Sequence, residues 1–208
     1  MKTILAIGGA VVKTAWDEIK EVAQCKMFDV LIHNGGSLFH DFQRATEDLG
    51  DKHSHRLDDL LKDYSINSKA SELVWRWIDK RESPANSLTN ICVNHGIKVL
   101  MFTGFACDFW QLFGDRNKWA RMGESARFDF DELCGTMSDP FHFICMGSAV
   151  IHPEVFTKAL AVVKPEEFKA DVVDFLDMHR PRTEVARYGE YFLMKHKEFL
   201  KQWILVKS

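Results

Sequence analysis

Five short apolar runs punctuate this sequence: Thr3–Ile7, Phe28–His33, Ile97–Thr103, Phe141–Met146 and Ala170–Leu176. Each is continuous in hydrophobicity, as expected of strands covered on both faces rather than on one. Helical spacing fills the intervals: Trp16, Ile19, Val22 and Ala23 share one face after the first run, and Val155, Phe156, Ala159, Leu160 and Val163 share another after the fourth. Strands that alternate with amphipathic helices predict an α/β fold, a Rossmann-like parallel sheet with helices on both faces. Such a sheet opens its ligand crevice at the carboxyl ends of its strands.

The 208 residues are expected to form a single domain of this kind, with helical insertions at about 49–95 and 114–140 where the alternation lapses. Within the first of these, helices are expected near Arg56–Tyr64 and Lys69–Lys80. A long amphipathic helix is expected over Tyr191, Phe192, Phe199, Trp203 and Ile204, either docked on the core or meeting a partner chain.

A content of 46% hydrophobic residues excludes a disordered chain, and a formal net charge of −3 argues against a bulk electrostatic binder of nucleic acid. No apolar stretch approaches the ~20 residues of a transmembrane helix, so no membrane partner is expected. Five cysteines without a CxxC pair read as free thiols of a reducing compartment, and the expected location is cytoplasmic.

Polar and small residues gather where the strands should end. Gly8-Gly9 follows the first strand, and His33-Asn34-Gly35-Gly36 closes the second, with His40 and Asp41 just beyond. Gly147-Ser148 follows the fourth, with His152-Pro153-Glu154 opening a helix. Residues without Cβ at such turns suit either tight turn geometry or a backbone that approaches a phosphate or ribose. The spacing is not GxGxxG, so the ordinary dinucleotide fingerprint is missing. Asp41 reads as a helix cap; His152 reads as a structural histidine, a proton carrier or a substrate donor. Arg180-Pro181-Arg182 is either a solvated turn or an anion clamp. The His53-Ser54-His55 group matches no strong ligand motif, and no metal is expected.

Taken together, Gly8–Lys13, Asp29–Phe42, Ile97–Asp108, Gly147–Phe156 and the blocks from Ala170-Asp171 to His179–Arg182 resemble, in order, the deoxyhypusine synthase-like family. Members of that family use NAD to oxidise spermidine, carry a four-carbon amine fragment on a lysine, and pass it to an acceptor lysine. The resemblance implies NAD contacts at Gly9, Ala10, Lys13, Asn34, Gly35, Gly36, Asp108, Gly147 and Ser148. It implies acid–base roles for His152, at the position of the family's substrate-pocket histidine, and for His40, where the synthases carry an acidic contact. Asp108 and Asp171 are the carboxylates expected to hold a cation near strand ends. A homotetramer is the implied assembly.

The departure concerns the nucleophile. The synthases carry a catalytic lysine in a Trp-Gly-Lys segment, whereas residues 170–194 contain no lysine. The sequence therefore resembles the short bacterial-type members. The expected function is NAD-dependent chemistry on a small amine or polyamine, by amine oxidation or as an aminoalkyl transferase, outside true deoxyhypusine synthesis. The alternatives are a non-catalytic NAD-binding oligomeric regulatory module and an amino-acid cyclodeaminase-type enzyme.

Overall fold

Six parallel strands form one sheet in the order β3-β2-β1-β4-β5-β6. The computed structural model describes residues 1–45, 85–102 and 116–207. The strands are β1 (Lys2–Ile7), β2 (Val30–Asn34), β3 (Lys98–Phe102), β4 (Phe141–Met146), β5 (Phe168–Asp174) and β6 (Tyr191–Leu193). The helices are α1 (Gly9–Gln24), α2 (Gly35–Ala45), α3 (Leu88–Asn94), α4 (Arg116–Met137), α5 (Ile151–Val163) and α6 (His196–Lys207). This is a Rossmann-like α/β fold, and the expected strands stand within a few residues of their expected places.

Alternation along each strand divides the core in two. Leu5, Ile7, Leu31, Ile144 and Val173 face α1, α2, α3 and α6, where Val12, Ile19, Leu38, Leu88 and Leu200 close the layer. Ile4, Ala6, Ile32, Phe143 and Val172 face α4 and α5, against Leu133, Met137, Phe156 and Ala159. A sheet covered on both sides needs apolar residues at successive positions, which is why the strands read as continuous runs.

Two expectations change. The stretch 114–140 holds α4, which carries the chain from β3 to β4 and packs against β3 and α5, as a crossover between parallel strands requires. The aromatic residues expected on one long terminal helix are divided: Tyr191 and Phe192 lie on edge strand β6, and α6 begins only at His196. Phe192, Phe199, Trp203 and Ile204 pack partly buried on the chain's own core, so this helix docks at home. The helices expected at 56–64 and 69–80 lie outside the described residues.

Helix α1 is interrupted at Ala15, whose φ of −145° and ψ of 34° are not helical. The break frees the Lys13 carbonyl, which accepts a hydrogen bond from Arg44 of α2. Beyond the break, the Trp16 indole sits under the Lys20 ammonium, 3.7 Å from its ring centre.

Candidate functional site

The chain leaves β1 toward β2 on one side and leaves β4 toward β5 on the other, so the carboxyl ends of β1 and β4 form the topological switch point. Gly8, Gly9, Gly147 and Ser148 sit there, with Asn34-Gly35-Gly36 at the adjacent end of β2. Their smallness serves contact among the loops themselves. A Cβ on Gly8 would lie 1.7 Å from the Gly147 carbonyl oxygen, and one on Gly9 would lie 3.0 Å from His40 Cδ2 and 3.2 Å from the Gly36 carbonyl carbon. Gly147 takes φ +62°, a left-handed backbone that favours glycine. The sequence-level choice between turn geometry and approach to a ligand thus resolves partly toward packing of three loops against one another.

Beside this point runs a buried chain of side-chain hydrogen bonds. Asp41 accepts from Trp16 Nε1 (2.9 Å), Leu88 N (2.7 Å), Thr89 N (2.9 Å) and Thr89 Oγ1 (2.9 Å). The Thr89 hydroxyl has one proton, given to the carboxylate; its oxygen lies 3.2 Å from His33 Nε2 and accepts from it. His33 Nδ1 lies 2.9 Å from the Ser37 hydroxyl oxygen, and that hydroxyl also reaches the Asn34 carbonyl at 3.1 Å. Burial pushes the Asp41 carboxyl above the usual carboxylate range, and its four donors pull the other way. Asp41 is therefore a cap, as its place in the sequence suggested, but for α3 rather than for its own helix. Ser37 and Thr89 went unnoticed in the sequence because isolated hydroxyl residues carry no spacing signal.

Asn34 joins this chain to the switch point. Its Oδ1 accepts from the Ser37 amide at 2.9 Å, and its Nδ2 lies 3.5 Å from Ser148 Oγ. Ser148 Oγ in turn accepts from the His152 amide at 3.4 Å. The His152 ring is wholly buried beside the His33 carbonyl without closing a well-formed hydrogen bond. Burial pushes its pKa down to about 3. At neutral pH it is an uncharged imidazole, able to exchange hydrogen bonds but holding no imidazolium proton to donate. His40 is partly exposed and lies beside Gly9; Lys13 is exposed on α1, and Ala10 stands in its first turn.

Other expected residues fall elsewhere. Asp171 lies in the middle of β5, because that strand runs on to Asp174, and it is held by His142 Nε2 (2.7 Å), Lys169 Nζ (2.9 Å) and the Glu190 amide (2.8 Å). Its charge is already paired within the chain, with Lys169. Arg180 pairs with Glu154 and Glu184, and Arg182 pairs with Asp177, so the chain's own carboxylates fill the supposed anion clamp. Asp108 lies outside the described residues. Among the described residues no group of three or more His, Cys, Asp or Glu is placed to hold a metal, and no helix is long and apolar enough to cross a membrane.

No protein-family model matches the sequence, and no curated protein does. Solved structures share the fold at low identity. The arginine dihydrolase ArgZ of the cyanobacterial ornithine–ammonia cycle superposes with a TM-score of 0.64 at 15% identity, over 98% of this chain and 29% of that one. A conserved protein assigned to the LOR/SDH type, from Methanococcus maripaludis S2, gives 0.62 at 13%, over 98% and 60%. A protein assigned as a deoxyhypusine synthase, from Entamoeba histolytica, gives 0.57 at 9%, over 100% and 74%. The chain thus spans less than a third of the length of the arginine dihydrolase it matches. At these identities the likeness establishes the Rossmann-like fold.

Proposed function

We propose that the crevice at the β1/β4 switch point binds NAD and that the protein is an NAD-dependent enzyme acting on a small amine or polyamine, outside deoxyhypusine formation. The observation that carries this reading is the amino terminus of α1. Gly8 provides no side-chain cap, and the first turn holds no acidic residue; the Val11 amide is taken by the Gly8 carbonyl, so the Gly9 and Ala10 amides and the helix dipole are what suit a phosphate. Gly9, Ala10 and exposed Lys13 would hold that phosphate, with Asn34, Gly35, Gly36, Gly147 and Ser148 lining the remainder; Asp108 belongs to the same reading through the family resemblance. The fit extends to polarity, since Asn34 brings an amide to the end of β2. When bound, NAD supplies a hydride acceptor.

The chain's own residues then divide the acid–base work. His152, neutral at physiological pH, positions groups by hydrogen bonding, and partly exposed His40 exchanges protons with solvent. The resemblance implies a homotetramer, which light scattering at micromolar concentration would show or refute.

The test is calorimetric titration with NAD, then a panel of amines in which NADH is followed by absorbance. Saturable NAD binding is expected, weakened about tenfold in Lys13→Ala by loss of one charge-assisted contact while the fold is retained. NAD binding without turnover would favour the regulatory module, and ammonia release from an amino acid would favour the cyclodeaminase-type reaction. Absence of NAD binding to the folded protein refutes the proposal.

A further inference from the structure

His196 opens α6 at the carboxyl ends of β4 and β5, and nothing in the sequence marked it. It is 1% exposed, and neither ring nitrogen has a hydrogen-bond partner. Its Cε1–Nε2 edge faces Gly147, 3.0 and 3.1 Å from where a Cβ on that glycine would stand. Asp174, the last residue of β5, is 2% exposed; its carbonyl accepts from the Met194 amide, two residues before His196, and the ring of the next residue, Phe175, meets His196. Among the described residues the Asp174 carboxylate receives only the Leu176 amide, at 3.2 Å, and has no ion-pair partner.

Two groups that are costly to bury thus stand side by side. A buried carboxylate needs a counter-charge, and a buried imidazole needs a donor or acceptor. Among the described residues no cation pairs with Asp174. Burial and the Asp174 carboxylate keep the Cys145 thiol protonated, and burial holds His196 below its ordinary pKa against the opposing pull of Asp174. One carboxylate and one imidazole are too few for a typical metal site. A primary ammonium group, with one positive charge and three N–H donors, answers both needs at once.

We propose that Asp174 and His196 form the subsite for the primary ammonium group of the substrate, with the carboxylate supplying the counter-charge and the imidazole accepting an N–H. The inference rests on the amine reading above and gives that reading its recognition residues, in place of mid-strand Asp171. Phe175, whose ring meets His196 edge-on at 5.5 Å and which is about half exposed, forms the lip of the subsite.

The probe is 1,4-diaminobutane, titrated with and without saturating NAD while the histidine ring signals are followed by NMR. His196→Gln assigns the His196 signal. That signal is expected to shift saturably with the diamine and not with tetramethylammonium, which has charge but no N–H. Asp174→Asn, nearly isosteric, is expected to weaken the diamine at least about tenfold, the loss of a charge-assisted hydrogen bond. A His196 signal indifferent to the diamine in both titrations overturns the proposal, as does unchanged affinity in folded Asp174→Asn. Should Asp174→Asn fail to fold, the wild-type His196 shift and the affinity of His196→Gln decide. NAD calorimetry on the same sample separates failure of this subsite, with NAD still bound, from failure of the cofactor reading.

Discussion

The α-carbon of Gly8 faces the main-chain carbonyl of Gly147 so closely that a Cβ would stand 1.7 Å from its oxygen. The Gly8 amide meanwhile donates to Met146 O at 2.8 Å, which holds the ends of β1 and β4 together. Neither neighbour is a flexible side chain that can swing aside, so the switch point tolerates no side chain at Gly8.

Gly8→Ala is therefore expected to destabilise the fold by about 3 kcal/mol, at the upper end of overpacking costs. Gly135, exposed in α4 with open space where a Cβ would stand, provides the contrast. Gly135→Ala is expected to stabilise by about 0.5–1 kcal/mol through helix propensity and a less free unfolded chain. Urea denaturation of the two variants checks the difference in sign.

Asp41 fixes α3 to α1 and α2 through four hydrogen bonds. Asp41→Ala orphans the Trp16 indole N–H and the Leu88 and Thr89 amides in a buried setting. At about 1–3 kcal/mol per unsatisfied group, partly recovered by relaxation, the loss is expected to be about 3 kcal/mol or more. Tryptophan fluorescence during urea unfolding reports it, since Trp16 is at the site of the change.

The legible part of the sequence was the part governed by periodicity. Continuous runs gave strands buried on two faces, and the glycines marked the strand ends where loops converge. Edge strand β6 escaped because three residues are too few to show a period, and its Tyr191 and Phe192 fall in step with Phe199 and Trp203 of α6. Asp171 and Asp174 differ by three positions on one run, and only the strand's true end decides which one stands at its carboxyl end. His33, Asn34 and His40 stood out as polar groups in need of partners, and for His33 and Asn34 the partners are Ser37, Thr89 and Ser148, two of them distant in sequence.

His152 makes stability depend on pH in a known direction. Its folded pKa is about 3, and its unfolded value about 6.5. Between these, the unfolded chain binds a proton that the folded chain refuses, so this contribution is intact above pH about 6.5 and falls with decreasing pH. The slope is about 1.4 kcal/mol per pH unit from this residue. His196, also lowered by burial, acts in the same sense. In His152→Leu the dependence of unfolding free energy on pH is expected to flatten by that slope between pH 6 and 4; an unchanged slope would show that His152 takes up its proton in the folded state.

The remaining prediction concerns covalent chemistry. A lysine that carries an aminoalkyl group must be held, shielded from water, beside the reacting carbon. Residues 170–194 offer none, and arginine cannot take the role because it stays protonated. Two lysines, Lys195 and Lys197, flank the start of α6 at His196. Lys197 is ion-paired to Glu18 of α1 at 2.8 Å, turned toward the helix layer. Lys195 precedes His196 and so begins close to the strand ends, but its side chain is 77% exposed. Neither is shielded as a Schiff-base lysine needs to be. Incubation with NAD and spermidine, borohydride reduction and intact-mass measurement are therefore expected to show no four-carbon adduct, while any NADH formed reports direct amine oxidation. An adduct would refute the expectation, and peptide mapping would then show whether Lys195 carries it, which would require that residue to enter the crevice beside His196.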